Sequence, residues 1–324
     1  MKQLLFLVLA FALPESFHAQ VNPDSSVVYI HPKSQSFKAV ASKAILRIKG
    51  KHSLAKSFKR NDFDTTGASI PKSFFEEFII DTNMIDARWV YTISPKTMTA
   101  ERYILYVHGG AYVRNMVKQH WALIGELVRK TGYSIVMPDY PLAPANTVET
   151  TFPMIEHVYK KLLTKTKSSN IVLMGDSAGG GFLLSLAQQL KKDKIAQPQQ
   201  IILLSPWLDV TMTNPEVIKL ESLDPMLDVE GSQMAGAAYA GKLDTKNPLV
   251  SPIYGNLDGL AKISLFTGGK EMLVADARKF KAMMEAEGIA MNYYEYPKLF
   301  HVWIAATFLK ESQLAIDQVV DLLK

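Results

Sequence analysis

Residues 170–181 read Asn-Ile-Val-Leu-Met-Gly-Asp-Ser-Ala-Gly-Gly-Gly, and this segment limits the fold more than any other. A short apolar run, Ile171–Met174, leads straight into Gly175-Asp176-Ser177-Ala178-Gly179, and a helix-forming stretch follows over Phe182–Leu190. The order is strand, sharp turn, helix, with a serine at the apex. So tight a turn needs nearly side-chain-free neighbours, which Gly175 and Gly179 supply. The serine hydroxyl is then held out at a strand end, and the next backbone N–H opens a helix, where negative charge is favoured. This presents a weak alcohol as a nucleophile. Alone, the pattern also fits a Gly-rich turn in any α/β domain, so the rest of the chain must decide.

From residue 74 onward, strands alternate with helices. Strand patterns fall at Phe75–Ile80, Arg88–Ile93, Tyr103–Val107, Ser134–Pro138, Ile171–Met174, Ile201–Leu204, Ile263–Thr267 and Met291–Tyr296. Helix patterns fall at His120–Lys130, Phe152–Leu163, Phe182–Leu190 and Val274–Glu287, and Val302–Leu323 is largely helical. Gly132 and Gly288 are natural helix stops. This alternation predicts a mostly parallel sheet covered by helices on both faces. Reactive groups in such folds gather beyond the carboxyl ends of the strands. Three segments sit there: His108–Tyr112, Gly175–Gly179 and Gly268–Glu271. Residues 20–70 and 211–246 stand outside the alternation, and both can form a lid.

The 324 residues are 48% hydrophobic and 21% charged, which suits a globular chain with a sizeable core. Lys2, the apolar run Leu4–Leu13 and Ala19-Gln20 read as an export signal over residues 1–19, with an uncleaved anchor as the alternative. The expected location is therefore periplasmic or secreted. There is no cysteine, which excludes disulfides, thiol catalysis and thiolate metal sites. No metal-ligand spacing or phosphate loop is present, so no metal or cofactor is expected. The net charge is +5, and much of it lies between Ser25 and Asn61, where nine Lys and Arg residues stand without an acid. Phe37, Val40, Ala44, Ile45 and Ile48 recur there at helical spacing. Such a helix either packs over a core with a solvated basic face or makes weak contact with a membrane surface. No aromatic or Gly-rich pattern supports nucleic-acid binding.

A nucleophilic Ser177 needs a base, an orienting acid and an oxyanion site. His301 follows the last strand and precedes a helix, in position to take the serine proton and return it to a leaving group. Glu271 lies just past a strand end, with Asp276 as a competitor inside the following helix; Glu271 is preferred. His108-Gly109-Gly110-Ala111-Tyr112 also follows a strand. Its backbone N–H groups, with that of Ala178, are the candidate oxyanion donors.

These residues resemble the bacterial hormone-sensitive-lipase-like esterases of the α/β-hydrolase fold. The Gly-Asp-Ser-Ala-Gly elbow and His-Gly-Gly loop are joined by Asp139-Tyr140-Pro141-Leu142-Ala143-Pro144, Ser205-Pro206-Trp207-Leu208-Asp209 and Gly269-Lys270-Glu271-Met272-Leu273. The likeness runs from about Phe75 to Trp303. It implies a Ser177–Glu271–His301 triad, with Gly110, Ala111 and Ala178 as oxyanion donors and Gly109 shaping the loop. It also implies that residues 20–70 and an insertion at about 211–246 form a helical cap on a catalytic domain spanning 71–324. Three positions depart from the family pattern. Ala111 replaces the third loop glycine and brings a methyl group toward the acyl site, Pro141 replaces an arginine, and Glu271 replaces the commoner aspartate. The expected activity is hydrolysis of short- to medium-chain acyl esters of small molecules. The rivals are a non-catalytic binding protein on the same fold and a serine peptidase or amide hydrolase.

Overall fold

The computed structural model describes residues 26–49, 51, 53–97 and 101–324; the expected leader, 1–19, lies outside them. The strands are β1 (Val28–Ile30), β2 (Phe78–Ile85), β3 (Arg88–Pro95), β4 (Tyr103–Val107), β5 (Ser134–Pro138), β6 (Ile171–Asp176), β7 (Gln200–Leu204), β8 (Ile263–Gly268) and β9 (Met291–Tyr296). They form one sheet in the order β1-β9-β8-β7-β6-β4-β5-β3-β2. Pairing is parallel from β1 across to β5, and β3 and β2 close one edge antiparallel. The helices are α1 (Phe37–Lys49), α2 (Ser53–Arg60), α3 (Lys72–Glu77), α4 (Lys118–Thr131), α5 (Val148–Leu163), α6 (Ala178–Lys192), α7 (Pro215–Glu221), α8 (Val229–Ala240), α9 (Val274–Ala286) and α10 (Lys310–Leu322).

Alternate residues of the inner strands feed two apolar cores. On β4, Leu105 and Val107 join one core, while Ile104 and Tyr106 join the other. On β6, Ile171 and Leu173 oppose Val172 and Met174 in the same way. Side chains of α5, α6 and α9 fill the first core, and those of α4 and α10 fill the second. Burial on both faces is why these strands read as unbroken apolar runs. Each fully buried Leu, Ile or Phe side chain contributes roughly 1.5–3 kcal/mol relative to exposure.

The strand expected at Phe75–Ile80 begins as a helix. α3 covers Lys72–Glu77, and β2 starts only at Phe78. Phe74 is buried and packs edge-on against both Phe78 and Trp121, whereas Phe75 is 62% exposed. Phe74 thus meets Phe78 across the last turn of α3, a four-residue spacing set by the helix and not by alternation along a strand. The C-terminal helical stretch is also interrupted: a short 3₁₀ turn at Trp303–Ala305 precedes α10.

The two segments outside the alternation pack on each other. Leu54 and Ala55 of α2 are buried against α8, where a Cβ on Gly231 would lie 2.6 Å from the Ala55 nitrogen. Lys59 pairs with Glu230 at 2.7 Å, and Lys51 Nζ donates to the Glu221 carbonyl at 2.7 Å. The N-terminal segment is not all lid, however. Residues 28–30 add β1 to the edge of the main sheet beside β9.

Phe74→Ala should cost about 3–5 kcal/mol in urea denaturation. Phe75→Ala should change stability by less than about 0.5 kcal/mol. Equal losses would contradict the helical placement of this pair.

Candidate active site

The serine turn is fixed by a close approach of β4. A Cβ on Gly175 would sit 2.7 Å from the Val107 carbonyl oxygen, and one on Gly179 only 2.0 Å from it. Only glycine lets α6 start so close to that strand. Ser177 is left at φ 51°, ψ −121°, a strained conformation for a residue with a side chain. Its backbone is held on both sides: Ser177 N–H donates to the Leu204 carbonyl at 2.9 Å, and Trp207 N–H donates to the Ser177 carbonyl at 2.8 Å.

His301 and Glu271 meet this hydroxyl from the ends of β9 and β8. Ser177 Oγ lies 2.9 Å from His301 Nε2, and His301 Nδ1 lies 2.6 Å from Glu271 Oε2. The other carboxylate oxygen accepts from Thr267 Oγ1–H at 2.5 Å and from Gly268 N–H at 2.9 Å. With Glu271 so held, the imidazole proton belongs on Nδ1, which leaves Nε2 to accept from serine. Glu271 is fully buried, His301 is 4% exposed and Ser177 is 7% exposed. Burial alone would lower the His301 pKa. The hydrogen bond and charge of Glu271, supported by Asp224 and Asp176, outweigh burial and raise it above its ordinary 6.5.

Asp276, the competing acid, faces elsewhere. Its Oδ1 accepts from Asn214 Nδ2 at 2.8 Å. Burial, opposed by that bond and reinforced by the charge of Asp209, pushes its pKa up to about 6.

The His108–Tyr112 loop turns on three successive residues with positive φ: Gly110 at 125°, Ala111 at 54° and Tyr112 at 63°. The N–H groups of Gly110, Ala111 and Ala178 have no acceptor among the described residues. Ala178 N–H is one of the unpaired donors that open α6. Gly109 differs from the other three. Its N–H is committed to Asp176 Oδ1 at 3.0 Å, so its place in the site is to shape the loop and not to donate. Tyr140 donates its hydroxyl to the His108 carbonyl at 2.8 Å and stacks on the His108 ring, which gives the Asp139–Pro144 segment a structural role. Burial and the neighbouring His120 drive the His108 pKa down to about 3, so this imidazole is neutral.

Two buried carboxylates beside these residues carry no mark of their place in the sequence. Asp176 accepts from Tyr106 Oη–H at 2.7 Å, from Gly109 N–H and, at 3.3 Å, from His120 Nε2. His120 Nδ1 accepts from Val117 N–H, so its proton lies on Nε2. Burial would raise the Asp176 pKa, but His120, Tyr106 and Gly109 together hold it at about 2. One buried anion thus ties the serine elbow to the His108–Tyr112 loop. Asp224, from the segment before α8, is also fully buried and accepts from Met272 N–H at 2.9 Å. It thereby braces the turn that carries Glu271. Asp176 stood inside the Gly-Asp-Ser-Ala-Gly signature, but its partners lie 56 to 70 positions away.

A family model described as the alpha/beta hydrolase fold matches residues 104–305, more than half the chain. The chain belongs to the α/β-hydrolase family. An esterase of Acinetobacter venetianus is 30% identical over 213 residues, covering 63% of this chain and 70% of that enzyme. An esterase/lipase from an uncultured bacterium superposes with a TM-score of 0.76 at 27% identity, covering 89% of this chain and 98% of that one. An esterase from the bacterial hormone-sensitive lipase family shares the fold, with a TM-score of 0.76 at 23% identity over 90% of this chain and 98% of that one. This α/β hydrolase is therefore of the esterase/lipase type, an enzyme acting on carboxylic esters, and the resemblance read from the sequence holds.

Asp176→Ala would leave three buried donors unanswered in this hydrolase. It should cost about 3–5 kcal/mol in urea denaturation at neutral pH. A loss below about 1 kcal/mol would contradict the bridging role of this carboxylate.

Proposed function

We propose that the enzyme hydrolyses short- to medium-chain acyl esters of small molecules, with Ser177 as nucleophile, His301 as general base and acid, and Glu271 as the orienting carboxylate. The observation that carries this reading is the unbroken hydrogen-bond chain from Ser177 Oγ through both His301 nitrogens to Glu271. As Ser177 Oγ attacks the ester carbonyl, its proton passes to His301 Nε2, and Glu271 stabilises the imidazolium. Negative charge grows on the carbonyl oxygen, which the free N–H groups of Gly110, Ala111 and Ala178 receive. The tetrahedral species collapses, His301 protonates the departing alcohol, and an acyl-Ser177 remains. His301 then takes a proton from water as the water oxygen adds to the acyl carbon; the second tetrahedral species collapses while His301 returns that proton to the departing Ser177 Oγ, which frees the acid and restores both side chains.

The preference for modest acyl groups is supported by what stands around the serine. Ala111 carries a methyl group where a glycine would leave space. The next residue, Tyr112, stacks face to face with Tyr239 of α8 at 3.7 Å, tying the loop to the lid segment. Both rings are fully buried.

Ser177→Ala should lower kcat on p-nitrophenyl butyrate by at least about 10⁴-fold, with an unchanged fold by circular dichroism. Undiminished turnover would remove Ser177 from the reaction. A chain-length series should peak at short to medium esters and fall for long ones.

The base works only when neutral, so kcat/KM should drop as pH falls through the His301 pKa. Because the Glu271 carboxylate favours the protonated ring, that acid limb should lie above the ordinary histidine value. Glu271→Gln removes the charge. It should move the limb to lower pH while reducing turnover by about 10³–10⁴-fold. An unmoved limb would dissociate Glu271 from the base.

A further inference from the structure

α1 is an amphipathic helix turned inside out. Phe37 is 86% exposed, Ile48 85%, Ile45 53% and Val40 46%, and with exposed Ala44 they form one stripe along the outer side of the helix. Its inward contact is made chiefly by Ala39, fully buried, and by Leu46, partly buried against the second core. The helix thus packs over the second core, as one of the two sequence readings has it, but through this face and not through the stripe of Phe37, Val40, Ala44, Ile45 and Ile48. The helix is not free to roll. Ser36, just before it, donates through N–H and Oγ–H to the two carboxylate oxygens of Glu311 at 2.5 and 2.8 Å. Near its other end, Arg47 donates to the Ser222 carbonyl at 3.2 Å.

A cationic cluster borders the same helix. Lys43 is close enough to Lys270, Lys298 and Arg47 that, after burial, their charges lower its pKa. None of these four makes an ion pair with an acid among the described residues. Lys270 and Lys298 add to a run, residues 25–61, that counts Lys43 and Arg47 among its nine Lys and Arg and holds no Asp or Glu. In the sequence, Lys270 adjoins Glu271 and Lys298 lies three positions before His301. Exposed apolar side chains flanked by unanswered cations match a surface that is both anionic and apolar beneath.

We propose that α1, with the cations around it, is a docking face for an anionic phospholipid bilayer. Phe37, Val40, Ile45 and Ile48 enter the boundary between headgroups and acyl chains, while Lys38, Lys43, Arg47 and Lys298 meet lipid phosphates. A second copy of the chain fits this face poorly, because a symmetric contact would set the cationic run against itself. The apolar stretch Leu4–Leu13 would leave the cations unanswered. Among the described residues no helix is long and apolar enough to cross a membrane, so this face would lie on the bilayer. The proposal does not depend on the chemistry assigned to Ser177.

The test is co-sedimentation of the full chain with vesicles of phosphatidylcholine containing about 30 mol% phosphatidylglycerol, at about 0.1 M salt. Binding should be strong to these, weak to pure phosphatidylcholine, and should fall as salt rises. Phe37→Glu/Ile48→Glu should reduce the partition coefficient by about tenfold or more. Lys38→Glu/Lys43→Glu should reduce it and flatten its salt dependence. Thermal midpoint and turnover of a water-soluble ester should stay as in the parent chain, which separates lost docking from lost folding or lost catalysis. Equal binding to uncharged vesicles, or unchanged binding by both double variants, would overturn the proposal. So would self-association in solution that Phe37→Glu/Ile48→Glu abolishes while no chain binds vesicles; that would assign the face to a second copy.

Discussion

The site depends on one close contact between backbones. The first turn of α6 presses on the last carbonyl of β4, at a distance that leaves no room for a Cβ on Gly175 or Gly179. The contact forces Ser177 into positive φ and puts its hydroxyl at the carboxyl edge of the sheet. The same edge receives the ends of β8 and β9, which deliver Glu271 and His301. Because the inner strands run parallel, their carboxyl ends converge by topology, and residues 124 positions apart need only short loops to meet.

Placing ionisable groups in a dry interior is costly, and the site answers each buried charge with donors. Glu271 is held by Thr267, Gly268 and His301, and Asp176 by Tyr106, Gly109 and His120. Burial lowers the pKa of one imidazole and an adjacent carboxylate raises the other, so His108 is neutral and structural while His301 is the more basic ring. Similar rings thus differ in protonation because their neighbours differ. Asp276 shows the opposite case. Burial with too little compensation leaves it with a raised pKa and one carboxylate oxygen unpaired among the described residues.

Much of this architecture was legible in the chain because its signals are local. The bounds of β4 and β5 coincide with short apolar runs stopped by turn residues, and those of β9 with the strand pattern read at Met291–Tyr296. The serine elbow, the Gly-Gly loop, Glu271 and His301 each sit in a short segment whose neighbours betray its geometry. What escaped depends on distant pairing. β1 is a three-residue edge strand that exists only because β9 accepts it. The bond between Asp176 and His120 joins a motif residue to a helix 56 positions earlier, with no local mark. Phe74 and Phe75 look alike in sequence, yet only one is buried. The periodicity of α1 was visible, but a 3.6-residue repeat does not say which side faces the protein.

The central claim is that Ser177 is a nucleophile because His301, aligned by Glu271, can take its proton. The most direct measurement is labelling of the folded enzyme with a fluorophosphonate, followed by peptide mass spectrometry. One adduct per chain is predicted, on Ser177, with the labelling rate collapsing in His301→Ala. Absence of an adduct on folded protein, an adduct on another side chain, or labelling indifferent to His301 would contradict the account.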